Sequence, residues 1–183
     1  MKKNKRLIII LLAAAFILLL PLVAMQFTDE VIWGPIDFVF AGALLLGTGL
    51  IYELAARKTS NFTYRAAVIL ALAAAFILIW ANAAVGIIGS EDEPANLMYI
   101  WVLAVGFIGS IAARFRPLGM ARTLFAVALT HALIVVIALI AGMYRYPGSS
   151  VSEIVNVNVF FIALWIGSAL LFRHASGSTI NSK

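Results

Sequence analysis

Apolar residues in this chain gather into six long runs, separated by short segments that carry most of the Gly, Pro and charge. The runs cover residues 7–27, 38–56, 66–88, 97–113, 123–142 and 154–172. Each comes close to the ~20 apolar residues that a helix needs to cross a hydrocarbon core of ~30 Å. The pattern predicts an all-α fold: a polytopic bundle of six transmembrane helices forming one transmembrane domain over 1–183.

The segments between the runs read as helix ends. Trp33-Gly34-Pro35 followed by Asp37 is a helix start, because Pro suits the first helical position and Asp complements the dipole. Arg57, Lys58 and Arg65 flank a polar turn around Ser60, and Pro147-Gly148-Ser149-Ser150 supplies turn chemistry in the segment 143–153. Met1–Arg6 is basic, and the apolar run behind it reaches Pro21, which is also how a secretory signal peptide begins. Leu22-Val23-Ala24 lacks a small-x-small cleavage pattern and the apolar run continues beyond it, so the first run is read as a spanning helix kinked at Pro21.

Composition agrees. Apolar residues make up 64% of the 183 and charged ones 11%, against roughly 45–50% and about 25% in soluble domains. Mean hydropathy is +1.07. The formal charge of +5 has a local origin. If the N-terminus is cytoplasmic, twelve of the 13 Lys and Arg fall on the inner side, Arg145 being the exception. Seven of the eight acids then fall outside, with Glu53 the exception. Short loops obey the positive-inside rule, so both termini are placed in the cytoplasm. The basic balance is thus a topology signal and points to no nucleic acid. Cys is absent, which removes disulfides, thiolate metal sites and a Cys nucleophile.

Trp33, Trp80, Trp101, Tyr99, Tyr144 and Tyr146 are expected at the outer boundary, where amphipathic rings settle at headgroup level. LAAAFIL occurs at both 12–18 and 72–78, which raises the possibility of three repeated hairpins. Ala43/Gly47, Gly106/Ser110 and Gly109/Ala113 have the small-residue spacing that lets helices approach closely in lipid.

Few residues could carry chemistry. His131 lies nine residues past Arg122, roughly 13 Å along a helix, near mid-bilayer. Its own helix face is apolar, so its partner must come from another helix. An ionisable group at that depth is either a transport residue or a neutral ring hydrogen-bonded to a neighbour. Glu53 is the inner-half acid, with Arg57 four residues on. It reads as an interfacial ion pair or as a proton-binding carboxylate. Asn82, Asn156 and Asn158 make the outer part of the bundle polar. Glu91, Asp92 and Glu93 sit in a short loop, where Ser90-x-x-Glu93 reads as a capping box and Glu93-Pro94 as a helix start. Three neighbouring carboxylates could also hold a divalent ion, although the spacing of a calcium loop is missing. Ser110 with His131 is the nearest approach to an intramembrane serine protease, but the motif is wrong, and no catalytic residue is assigned. His174 stands at the far end from His131, so a bis-His haem site is not expected. No cofactor is expected.

The run AVGIIGSEDEPANLMY, with ARFRPLGMAR downstream, resembles small bacterial membrane proteins carrying a GIIGSED-x-PANLMY-like loop. The resemblance implies a six-helix protein of the bacterial inner membrane and implies no activity. The expectation is a non-enzymatic bundle, an accessory or assembly subunit that meets lipid and a membrane-protein partner or another copy of itself. The alternative is a small cation- or proton-linked transporter using the acidic outer mouth and His131.

Overall fold

The computed structural model describes residues 2–57, 59 and 61–178, with only the backbone described at 2–5 and 178. Lys58, Ser60, Lys183 and the side chains of Lys2, Lys3 and Lys5, which enter the charge pattern, lie outside the described residues. The described residues hold six α-helices and no strand: α1 (Lys2–Ala24), α2 (Pro35–Ala56), α3 (Phe62–Ala84), α4 (Tyr99–Ala112), α5 (Pro117–Ile140) and α6 (Val151–Ser178). All are long and apolar enough to cross a membrane, α4 together with the 3-10 turn Pro94–Met98 that precedes it.

Several ends differ from the apolar pattern, each for a local reason. α2 begins at Pro35 as expected, and the Asp37 carboxylate accepts the Gly34 N–H at 2.7 Å. α3 starts four residues before its apolar run because Asn61 caps it, accepting the Tyr64 N–H at 3.1 Å. α5 starts at Pro117 rather than 123, so Arg122 lies within the helix. α6 starts at Val151, where the Ser150 hydroxyl accepts the Glu153 N–H at 3.1 Å. α1 runs through Pro21 to Ala24 and stops short of 27.

Contacts divide the chain into two compact units, Met1–Lys58 and Thr59–Lys183. The first is an antiparallel hairpin. Arg6 meets Glu53, a Cβ on Gly49 would fall against Ile10, and one on Gly42 against Leu18, so the residue numbers rise on one helix as they fall on the other.

In the second unit the closely packed pairs are α5 with α6, α3 with α6, and α4 with α5. Consecutive α3 and α4 are not such a pair, so a scheme of three equivalent hairpins does not describe the packing. The small-residue expectation holds on α4: a side chain at Gly109 would collide with Thr123 of α5. Gly47 of α2, by contrast, faces open space. The Ser168 hydroxyl donates to the Ala67 carbonyl at 2.7 Å and ties α6 to α3.

Hydrogen bonds also define the two ends of this unit. At one end the Tyr64 hydroxyl donates to the Phe115 carbonyl at 2.8 Å while its ring packs edge-on against Phe172. Arg114 and Phe115 are both left-handed there (φ 50° and 58°), an uncommon conformation outside Gly that reverses the chain between α4 and α5. At the other end the Gly89 N–H donates to the Ser149 hydroxyl at 2.7 Å, joining the α3–α4 and α5–α6 connections. The first end carries Arg65, Arg114, Arg116 and Arg173; the second carries Glu91, Asp92, Glu93 and Glu153 with Arg145. Within this unit the charge segregation seen in the sequence is therefore a segregation in space.

The outward faces of this unit are apolar, and a few polar side chains lie among the apolar ones inside. Phe107, Leu129 and Ile140 are exposed, while His131, Asn158 and Ser168 are fully buried. The arrangement is compatible with a lipid solvent, in which outward apolar surface costs nothing and a polar group needs a partner inside.

Candidate functional site

The acidic loop is organised by a residue that the sequence reading did not single out. Asn96, buried, accepts the N–H groups of Ile87 and Ile88 with its Oδ1, both at 3.0 Å. Its Nδ2 donates to the carbonyls of Ile88 at 3.1 Å and Ser90 at 2.7 Å. One amide thus substitutes for a turn of helix, which is why α3 stops at Ala84 and not 88. The reversal needs Gly86 (φ +73°), where a Cβ would meet the Ser90 backbone.

The expected capping box at Ser90 and Glu93 does not form. Glu93 occupies the cap of the 3-10 turn without a side-chain cap bond, and its own N–H goes to the Ser90 carbonyl at 3.1 Å. The Glu93-Pro94 helix start does form, as that 3-10 turn. Glu91 and Asp92 are exposed. Among the described residues no three His, Asp or Glu side chains are placed to share a metal ion, these acids included.

His131 sits in the middle of α5 at 0% exposure. Its Nε2 lies 2.8 Å from Asn158 Oδ1, and its Nδ1 lies 3.3 Å from Trp165 Nε1, both partners being on α6. The Tyr99 hydroxyl, from α4, donates to the same Asn158 Oδ1 at 2.7 Å. Asn158 Nδ2 donates to the Ile154 carbonyl one turn back at 2.6 Å, which fixes the amide. The rings of Tyr99 and Phe161 close over the imidazole, with centroids 5.3 and 5.6 Å away.

Proton counting assigns the tautomer. An indole N–H can only donate, so His131 Nδ1 presents its lone pair to Trp165. Nε2 then carries the proton and donates to Asn158, whose oxygen has two lone pairs for the two donors it receives. The ring is neutral in this arrangement, and neither nitrogen has spare capacity. Three helices are pinned at one point, with each buried side-chain nitrogen and oxygen of the network in at least one hydrogen bond.

Tyr99, at 1% exposure, is therefore a core residue and not part of the outer aromatic belt. Trp101, at 69%, fits the belt. Trp165 was missed, although a Trp inside an apolar run far from either boundary is itself a signal, since its N–H must find an acceptor. Asn156 is exposed and takes no part.

The remaining candidates lie apart from this network. Asn82 Oδ1 is buried with no hydrogen-bond partner among the described residues. Ser110 donates to the Gly106 carbonyl at 2.6 Å, one turn back, and both His131 nitrogens have other partners, so no Ser–His dyad is assembled. His174 is exposed near the end of α6. In the hairpin unit, Glu53 Oε1 accepts Arg57 Nε at 2.8 Å and Oε2 lies 3.6 Å from Arg6 Nη1, with the Glu53 side chain only 5% exposed. The Arg57 pairing follows from the spacing, whereas Arg6 required the hairpin. Thr48 donates to the Leu44 carbonyl of its own helix at 2.7 Å.

No protein-family model, no curated protein and no solved structure matches this sequence.

Proposed function

We propose that the chain is a non-enzymatic integral membrane bundle, an accessory or assembly subunit of a complex in the bacterial inner membrane, with both termini cytoplasmic. The observation that carries this reading is the closed network at His131: the deepest ionisable group has both nitrogens engaged and is sealed by Tyr99 and Phe161. A conducting residue needs an open lone pair or proton facing water. The outward faces are apolar, so the helices are suited to meeting lipid and neighbouring helices.

Sidedness follows from the basic and acidic ends and is tested by cysteine labelling, which has no background in a chain without Cys. An impermeant thiol reagent should label Asp92→Cys and Ser150→Cys in intact cells and spare Ser60→Cys and Gly119→Cys. The GIIGSED-x-PANLMY-like loop belongs to this reading as an architectural element, held by Asn96.

A cation- or proton-linked carrier is the second reading, favoured by the unpartnered buried oxygen of Asn82 together with the acids at the same end. Purified protein in proteoliposomes with an internal pH dye separates the two. The accessory reading expects flux no greater than in protein-free vesicles. Flux that His131→Gln abolishes while the fold survives would replace it with the carrier.

A further inference from the structure

The hairpin unit gathers cationic groups at one end around a single acid. Arg6 of α1 and Arg57 at the end of α2 converge on Glu53. Lys2, Lys3 and Lys5 belong to the first turns of α1, and Lys58 follows α2 in the chain. Glu53 neutralises one of the two guanidinium charges and, being buried, serves as a bracket from below. It accepts from Arg57 through Nε, and among the described residues no hydrogen bond engages the terminal Nη groups of Arg57. Arg6 stands at ion-pair distance, 3.6 Å, beyond a hydrogen bond, and its side chain is 51% exposed. The positive dipole end of α1 and the negative end of α2 lie together here and offset each other, leaving the side chains to set the field.

We infer that Arg6 and Arg57, bracketed by Glu53, form a binding site for the phosphodiester of an anionic phospholipid at the boundary of α1 and α2. A guanidinium presents a planar fork that matches phosphate oxygens, and two of them beside an apolar helix pair suit a headgroup whose chains lie along the exposed Leu12 and Phe16 side of α1. Basic groups just beyond a membrane span are the usual recognition element for anionic lipids. The inference rests on the membrane reading but not on the choice between accessory subunit and carrier. It applies in detergent, where sidedness is lost; a chain that stays soluble without detergent would refute the membrane reading instead.

The test is thermal unfolding of the purified chain in neutral detergent, titrated with phosphatidylglycerol, phosphatidylcholine or inorganic phosphate. Phosphatidylglycerol should raise Tm saturably, as a ligand of the folded state does. Phosphatidylcholine and phosphate should not. Arg6→Gln with Arg57→Gln should abolish the rise, while Arg114→Gln with Arg116→Gln should keep it. If the Arg6/Arg57 variant does not fold, Arg57→Lys keeps the charge and loses the fork, and half-saturation should move about tenfold, the scale of one charge-assisted hydrogen bond. An equal rise with phosphatidylcholine or with free phosphate would overturn the site. So would equal loss in the Arg114/Arg116 variant, or an unchanged titration in Arg57→Lys.

Discussion

The polar clusters around Glu53 and His131 obey opposite rules. The one around Glu53 is built from full charges at helix ends, Arg6 near the start of α1 and Glu53 with Arg57 at the end of α2. The one around His131 is neutral, sits in mid-helix and is closed on all sides. In the proposed membrane setting, depth accounts for the difference. Near a helix end, long Arg side chains reach headgroups and water, so a carboxylate can stay ionised beside them. At mid-span an uncompensated charge is costly, and the stable solution is a set of neutral donors and acceptors that saturate one another. Charge can therefore be left partly open at the boundary, where it can recruit ligands. Polarity in the centre must be complete, so there it fixes helices in place.

The comparison is broken most severely at Asn158. Asn158→Leu leaves Tyr99 and His131 as buried donors without an acceptor, at ~1–3 kcal/mol each, so the loss should be about 2–6 kcal/mol in chemical unfolding. A loss below that of His131→Leu would show that Asn158 is not the hub. Asn96→Ala extends the neutral rule to the loop: two N–H groups lose their acceptor, and about 1–3 kcal/mol should go for each that stays unpaired, with faster hydrogen exchange at Ile87 and Ile88. Substituting Glu91, Asp92 and Glu93 together by Gln should leave those amides protected, because the acids do not hold the loop.

His131→Leu comes next, at about 0.6–2 kcal/mol, the scale of interhelical bonds in lipid. His131→Gln, which offers both a donor and an acceptor, should unfold close to wild type. Glu53→Gln should cost less than His131→Leu, since water and headgroups can take over the two arginines. A Glu53 effect larger than the His131 effect would invert the comparison.

Much of this was legible in the sequence. Six apolar runs gave six helices, and the alternating loop charges mark two real ends of the larger unit. Pattern reading failed where one side chain replaces a backbone rule. The apolar run 66–88 says nothing of Asn96 ending the helix early, because Ile87 and Ile88 are as apolar as a span requires. Tyr99 looks like a belt residue by position, yet its hydroxyl has a partner across the bundle. That partner is set by the packing of α4, α5 and α6 and not by local spacing. His131 was correctly expected to need a partner from another helix, and the sequence offered several polar groups without ranking Asn158 above Asn156 or Asn82.

The central claim, that the deepest ionisable residue is a saturated structural element, is tested most directly by its tautomer. Nitrogen NMR of histidine-labelled protein near neutral pH, with His174→Gln to leave one ring, reads the proton position at His131. The account predicts a neutral ring with the proton on Nε2 and a bare Nδ1 accepting from Trp165, and a shifted Nδ1 signal in Trp165→Phe. A proton on Nδ1, or on both nitrogens, would contradict it.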